Sequence, residues 1–233
     1  MELLWDGIVE AARLLTSFEP LVMDAAWRSL WVSSLAVLAA ALIGLPVGTL
    51  LARRPFWGRG FVVLAARVGM AMPTVFIGVV GYALLSRRGP LGSADLLYTP
   101  WAIILGELLL ALPITISITH GAIRALDARV AQTARTLGAG RVRRCWTYLS
   151  EARIGVMLAV LNAYARCVTE LGIALMIGGN IREHTRTLAT AIAVETGKGD
   201  FARGLAMGCV LLTVALVVTV GIAALAPQTS ERQ

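Results

Sequence analysis

Three ionisable residues stand where charge is costly. Glu107, Arg166 and Glu170 lie deep inside long apolar runs, and a charge within a bilayer is retained for pairing or for function. Arg166 and Glu170 are four apart, so on a helix they share one face. Two readings follow: an intramembrane polar network that fixes helices together, or a lining for a gate or path. Arg166 offers several hydrogen-bond donors, although a paired arginine is less available to a ligand.

Other chemistry is missing. The nucleotide loop Gly-x-x-x-x-Gly-Lys-[Ser/Thr] has no match: Gly197-Lys198 is followed by Gly199, and Ile192 stands where the first glycine belongs. His120 and His184 are far apart and lack a Cys or carboxylate cluster at zinc spacing, so no metal site is expected. No Ser-His-Asp arrangement occurs. We therefore expect no catalytic residues, no cofactor in this chain, and no enzyme activity of its own.

The elements that carry these residues are read from composition. Of 233 residues, 58% are apolar and 15% charged, against about 45–50% and 25% in soluble domains. A soluble core of this length cannot hide that much apolar surface. Cys145, Cys167 and Cys209 are too few and odd in number for a disulfide framework. The net charge of +7 points to a membrane rather than nucleic acid, because seven arginines fall between Arg124 and Arg153 while the apolar windows hold almost none.

Five transmembrane spans are predicted: Ser29–Ala52, Val68–Ser86, Pro100–Ile123, Ile154–Gly179 and Gly204–Ala226. The first reaches about 36 Å at ~1.5 Å per residue, enough for a ~30 Å hydrocarbon layer. Pro46, Pro73 and Pro113 fall inside the first three, where bundle neighbours can satisfy the freed carbonyls. Gly44-x-x-x-Gly48 and Gly204-x-x-x-Gly208 permit close helix contact. Residues 1–28 read as an amphipathic interfacial segment, since Glu2, Asp6, Glu10, Arg13 and Ser17 form one polar stripe. Residues 29–226 form the membrane domain, with a loop at about 124–153, and 227–233 a short tail. Loop arginines and lysine number eleven on the side of that loop and eight on the other. The positive-inside rule then puts the N-terminus outside and the C-terminus in the cytoplasm. The fold class is an all-α, polytopic membrane helix bundle.

The loop is the informative part. Ile123, Leu126, Val130, Ala134 and Leu137 step at helical spacing, Gly138-Ala139-Gly140 interrupts, and Val142, Cys145, Trp146 and Leu149 follow with Arg141, Arg143 and Arg144 interleaved. Glycine readily takes the positive φ that ends a helix. Two amphipathic helices around a glycine turn, hung from a membrane bundle, suit docking to a soluble partner. A cationic loop lying on lipid headgroups is the other reading.

Here the run Gln132-Thr133-Ala134-Arg135-Thr136-Leu137-Gly138-Ala139 resembles the Glu-Ala-Ala-x-x-x-Gly signature of ABC importer permeases, with Gln132 and Thr133 replacing Glu and Ala and Leu149-Ser150 replacing a later Leu-Pro. Thr169-Glu170-Leu171-Gly172, Gly178-Gly179-Asn180-Ile181, Thr185-Arg186-Thr187-Leu188 and Lys198-Gly199-Asp200-Phe201 resemble tungstate and molybdate permeases, the tungstate branch most closely. The resemblance covers nearly the whole chain. It implies a type I ABC importer permease in the plasma (inner) membrane that works as a homodimer with two copies of an ABC ATPase subunit, which would carry ATP and Mg. It also implies an extracytoplasmic oxyanion-binding protein. Gln132, Ala134, Leu137, Gly138, Ala139, Arg141, Arg143 and Arg144 would then form the ATPase-coupling surface. Thr185, Arg186 and Thr187, in the outer loop, would meet the binding protein or steer the anion. The reading from a different class is a stand-alone secondary transporter or channel for an anion. It would not need the docking loop, and the inverted repeats that often mark such proteins are not visible.

Overall fold

Proline, glycine and paired charges decide where the apolar runs bend. The structure, a computed structural model, describes residues 2–17 and 19–224. Among these residues there is no strand. The helices are α1 (Glu2–Thr16), α2 (Pro20–Arg53), α3 (Arg59–Met70), α4 (Thr74–Leu85), α5 (Pro100–Arg124), α6 (Ala128–Thr136), α7 (Arg141–Glu151), α8 (Arg153–Val168), α9 (Gly172–Gly178), α10 (Leu188–Gly197) and α11 (Phe201–Ala224). The predicted tail, 227–233, and the end of the fifth span lie outside the described residues.

Three single helices, α2, α5 and α11, are long and apolar enough to cross a membrane. Two bent pairs complete the predicted five if each pair is one span: α3 with α4, turned by 102°, and α8 with α9, turned by 55°. The second predicted span is thus not one helix. Pro73 caps α4, and a proline disfavours helical backbone at the residue before it. Pro46 and Pro113, by contrast, stay inside α2 and α5. Hydroxyls bridge the neighbouring carbonyls: Thr49 Oγ1 donates to Leu45 O at 2.7 Å, and Thr115 Oγ1 to Leu112 O at 2.9 Å and across to Ala40 O on α2 at 3.3 Å.

α2 and α5 form the central pair. Gly44 and Gly48 both face α5: a β-carbon at Gly44 would collide with Thr115, and one at Gly48 would come within 2.9 Å of the Ile116 carbonyl oxygen. Lipid tails are as apolar as leucine, so such close contact, rather than expulsion of water, holds membrane helices together. α8 packs on α5, α9 wedges between α4 and α5, and α10 and α11 close one flank.

The first span begins at Pro20, nine residues before the predicted Ser29, so residues 20–28 belong to α2 rather than to the N-terminal segment. Asp24 and Arg28 pair along α2 at 2.8 Å, and Arg28 is buried. α1 packs along α11, with Gly7 pressed on Leu205.

Candidate functional site

The loop after α5 folds as α6 and α7 around Gly138, whose φ is +66°. No atom lies within 4 Å of where its β-carbon would be, so the glycine is required by backbone conformation and not by crowding. Asp127 caps α6 by accepting from Arg129 N at 2.8 Å.

The apolar stripe divides in two. Ile123 and Ala134 are buried, and with Leu126 and Val130 half-buried they seat α6 under the bundle. Leu137, Val142 and Trp146 remain 79%, 73% and 69% exposed. Gln132, Gly138 and Arg143 are exposed with them, and Ala139 is half-buried. A groove lined by Val130, Ala134, Leu137 and Arg143 runs between α6 and α7. Arg141 and Arg144 face elsewhere, into a cavity beside the end of α2.

Two anchoring residues escaped the sequence pattern. Tyr148, on α7, is buried with Ile123 and Ala152. The Arg53 guanidinium, at the end of α2, lies 4.9 Å from the centre of its ring. α7 is therefore packed against the ends of α2, α5 and α8. The aromatic at position 148 is visible in the sequence; that an arginine from 95 residues earlier meets it is not.

In the bundle, Arg166 Nη1 donates to Glu170 Oε2 at 2.8 Å. The Glu170 side chain is 1% exposed and that of Arg166 43%. Glu170 lies just beyond the last turn of α8, and its other oxygen accepts from Ile173 N at 3.1 Å, capping α9. Glu107 is buried on α5 but makes no ion pair with either residue, and its Oε2 has no hydrogen-bond partner. Arg166 and Glu170 form one ion pair, and Glu107 is tied to α8 by Cys167 Sγ, which donates to Glu107 O at 3.7 Å.

The loop between α9 and α10 spends most of its polar groups within itself and on the first turn of α10. Thr185 is fully buried; its hydroxyl donates to Gly178 O and accepts from Ile181 N. Thr187 caps α10 in a reciprocal box with Thr190. Both hydroxyls are buried and engaged within the loop and the first turn of α10. Arg186 donates through Nε to Asn180 Oδ1 at 3.2 Å and lies 3.8 Å from Glu195. Burial first, then the nearby Arg182, lowers its pKa from the usual value, while Glu195 opposes the shift. Arg28, from α2, donates to Glu183 O at 2.8 Å and Arg186 O at 3.2 Å and so pins the loop. The i,i+4 spacing of Asp24 and Arg28 signals their pairing in the sequence, but not the reach of Arg28 to this loop.

The chain is 39% identical over 195 residues to the "Probable anion ABC transporter permease protein" of Haloferax volcanii, covering 82% of this chain and 84% of that one. It is 37% identical over 215 residues to the "Tungstate uptake system permease protein TupB" of Campylobacter jejuni, covering 92% and 90%. Its fold matches a bacterial alginate ABC transporter solved in complex with alginate pentasaccharide-bound periplasmic protein, at TM-score 0.68 and 16% identity, over 94% of this chain and 83% of that one. Residues 44–231, from the α2–α5 contact through the hairpin to the last helix and beyond, match a single family model, and this chain belongs to that family, the binding-protein-dependent transport system inner membrane components.

Proposed function

We propose that this chain is the permease subunit of an ATP-driven importer for tungstate or a related oxyanion. Two copies form the path, and two ATPase subunits, carrying ATP and Mg, dock on the α6–α7 hairpin from the cytoplasm. An extracytoplasmic oxyanion-binding protein delivers the anion. The N-terminus is outside and the C-terminus inside.

The observation that carries the docking is the hairpin's outer face. Leu137, Val142 and Trp146 are exposed beside Arg143, while Tyr148 on the opposite side ties α7 to the bundle. An apolar patch beside Arg143, on an element braced from behind, suits a partner groove. Closure of the ATPase pair shifts α7, and α2, α5 and α8 follow as a packed unit, switching the bundle between outward- and inward-facing states. The substrate class rests on the likeness to the anion and tungstate permeases.

The test is co-reconstitution in proteoliposomes with the ATPase and the oxyanion-binding protein. Tungstate-stimulated ATP hydrolysis and tungstate uptake are both expected. Uptake that proceeds without the ATPase, or hydrolysis indifferent to every oxyanion, overturns the reading.

A further inference from the structure

A cavity of about 300 Å³ opens between the end of α2 and the inner side of the hairpin. Its charged lining is Arg53 and Arg54 from α2, Arg135 from α6, and Arg141 and Arg144 from α7, with Tyr148 as its aromatic wall. No carboxylate lines it. None of the five arginines has an acidic partner within ion-pair distance among the described residues. Arg53 Nε and Nη2 are shielded from solvent and make no hydrogen bond. Buried donors are normally satisfied, and an unsatisfied charged one is costly. Arg53 and Arg144 are half-buried and Arg54, Arg135 and Arg141 exposed around them, so an anion in the cavity would meet the unpaired Arg53 donors and four further cations.

The size and side of the cavity limit what that anion is. Its volume is at the lower end for small-ligand pockets. It lies on the α2-facing side of α7, through Arg141, Arg144, Cys145 and Tyr148, whereas Val142, Arg143 and Trp146 line the opposite side. A docked protein meets the second side. Planar guanidinium forks match the oxygens of phosphate-like groups, and Gly140, at the cap of α7, supplies no side-chain acceptor to compete at that helix's first turn.

We propose that this cavity binds a tetrahedral oxyanion, either free in the cytoplasm or carried on a lipid headgroup, and that its occupancy fixes α7 against α2. The proposed site rests on the cavity's own lining and stands whether or not tungstate is the transported ion. It joins a spanning helix to both helices of the hairpin, so filling it stiffens the joint through which a docked partner would act.

Cys145 lines the cavity and serves as the reporter. Cys167 is 1% exposed, so Cys209→Ser in the full-length protein leaves Cys145 as the accessible thiol. In one arm the protein is held in zwitterionic-lipid nanodiscs, and thiol labelling is followed against sodium tungstate or inorganic phosphate, with chloride keeping ionic strength constant. In the other arm the nanodiscs contain anionic phospholipid and no added oxyanion. Saturable protection in the first arm identifies a free oxyanion. Protection in the second alone identifies a headgroup. Either supports the site, and Arg141→Gln and Arg144→Gln should each weaken protection about tenfold or more, as loss of a charge-assisted hydrogen bond does. Absence of protection in both arms, equal protection by chloride, or protection unchanged in the Arg141→Gln/Arg144→Gln double variant overturns the proposal. So does protection that appears only when the ATPase is bound, since protein carboxylates would then fill the cavity.

Discussion

Removing either member of the Arg166–Glu170 pair breaks the same 2.8 Å contact, yet the two losses should differ in cost. The glutamate side chain is 1% exposed and the arginine 43%. Arg166→Met strands a buried carboxylate. Such a loss costs ~3–5 kcal/mol when both partners are buried, and the exposure of Arg166 scales it down to about 1–3 kcal/mol. Glu170→Gln keeps an oxygen for Ile173 N and leaves an arginine that can reach polar surroundings, for a cost of about 0.5–1.5 kcal/mol. Glu170→Ala forfeits the cap as well, adding about 1 kcal/mol. The double change Arg166→Met/Glu170→Gln has no stranded charge and should lie within about 0.5 kcal/mol of Glu170→Gln alone. Unfolding of detergent-solubilised protein, by heat and by denaturant, measures the series, with oxyanion uptake followed in parallel. A Glu170→Gln variant less stable than Arg166→Met, or strict additivity in the double, would refute the asymmetry. Wild-type stability with abolished uptake in Arg166→Met would move this arginine into the pathway.

Three further outcomes are expected. Gly138→Val should keep the bundle folded but reduce ATPase pull-down and anion-stimulated hydrolysis, because a β-branched residue at φ +66° is strained by ~1–2 kcal/mol; Gly138→Asn, which tolerates this conformation and meets open space, should retain most coupling. Trp146→Ala and Leu137→Ala should leave the thermal midpoint of the permease unchanged and weaken ATPase binding by about 2 kcal/mol for the tryptophan, and equal binding by titration would remove that residue from the dock. Gly44→Val should lower the thermal midpoint by the equivalent of about 1–3 kcal/mol through collision with Thr115, whereas Gly208→Val, with nothing within 4 Å, should be near neutral.

The contrast between those glycines shows where local pattern stops informing. Gly44-x-x-x-Gly48 and Gly204-x-x-x-Gly208 look alike as text, and only the position of a neighbouring helix makes Gly44, Gly48 and Gly204 tight and Gly208 open. The same holds for proline: Pro46 and Pro113 continue their helices while Pro73 turns the chain by 102°.

The sequence by itself determined the all-helical membrane class, the number of apolar spans if each bent pair is one, and the two helices around Gly138, while the first two spans start nine residues earlier than hydropathy placed them. Each follows from hydropathy over about 20 residues or from helical period, which are properties of contiguous chain. Pairing at i,i+4 was legible for the same reason, and Arg166–Glu170 forms as spaced. Tertiary structure alone decided which polar groups are spent and which are left over. Thr185 and Thr187 are consumed inside their loop, and Arg28 leaves the span boundary to clamp that loop from α2. Arg53 stacks on Tyr148, and Arg141 and Arg144 turn away from the outer side of the hairpin to join Arg53, Arg54 and Arg135 around one cavity. A hydrogen bond or an unpaired charge is settled by groups far apart in the chain that packing brings within 3–4 Å, and no window of residues along the sequence contains that distance.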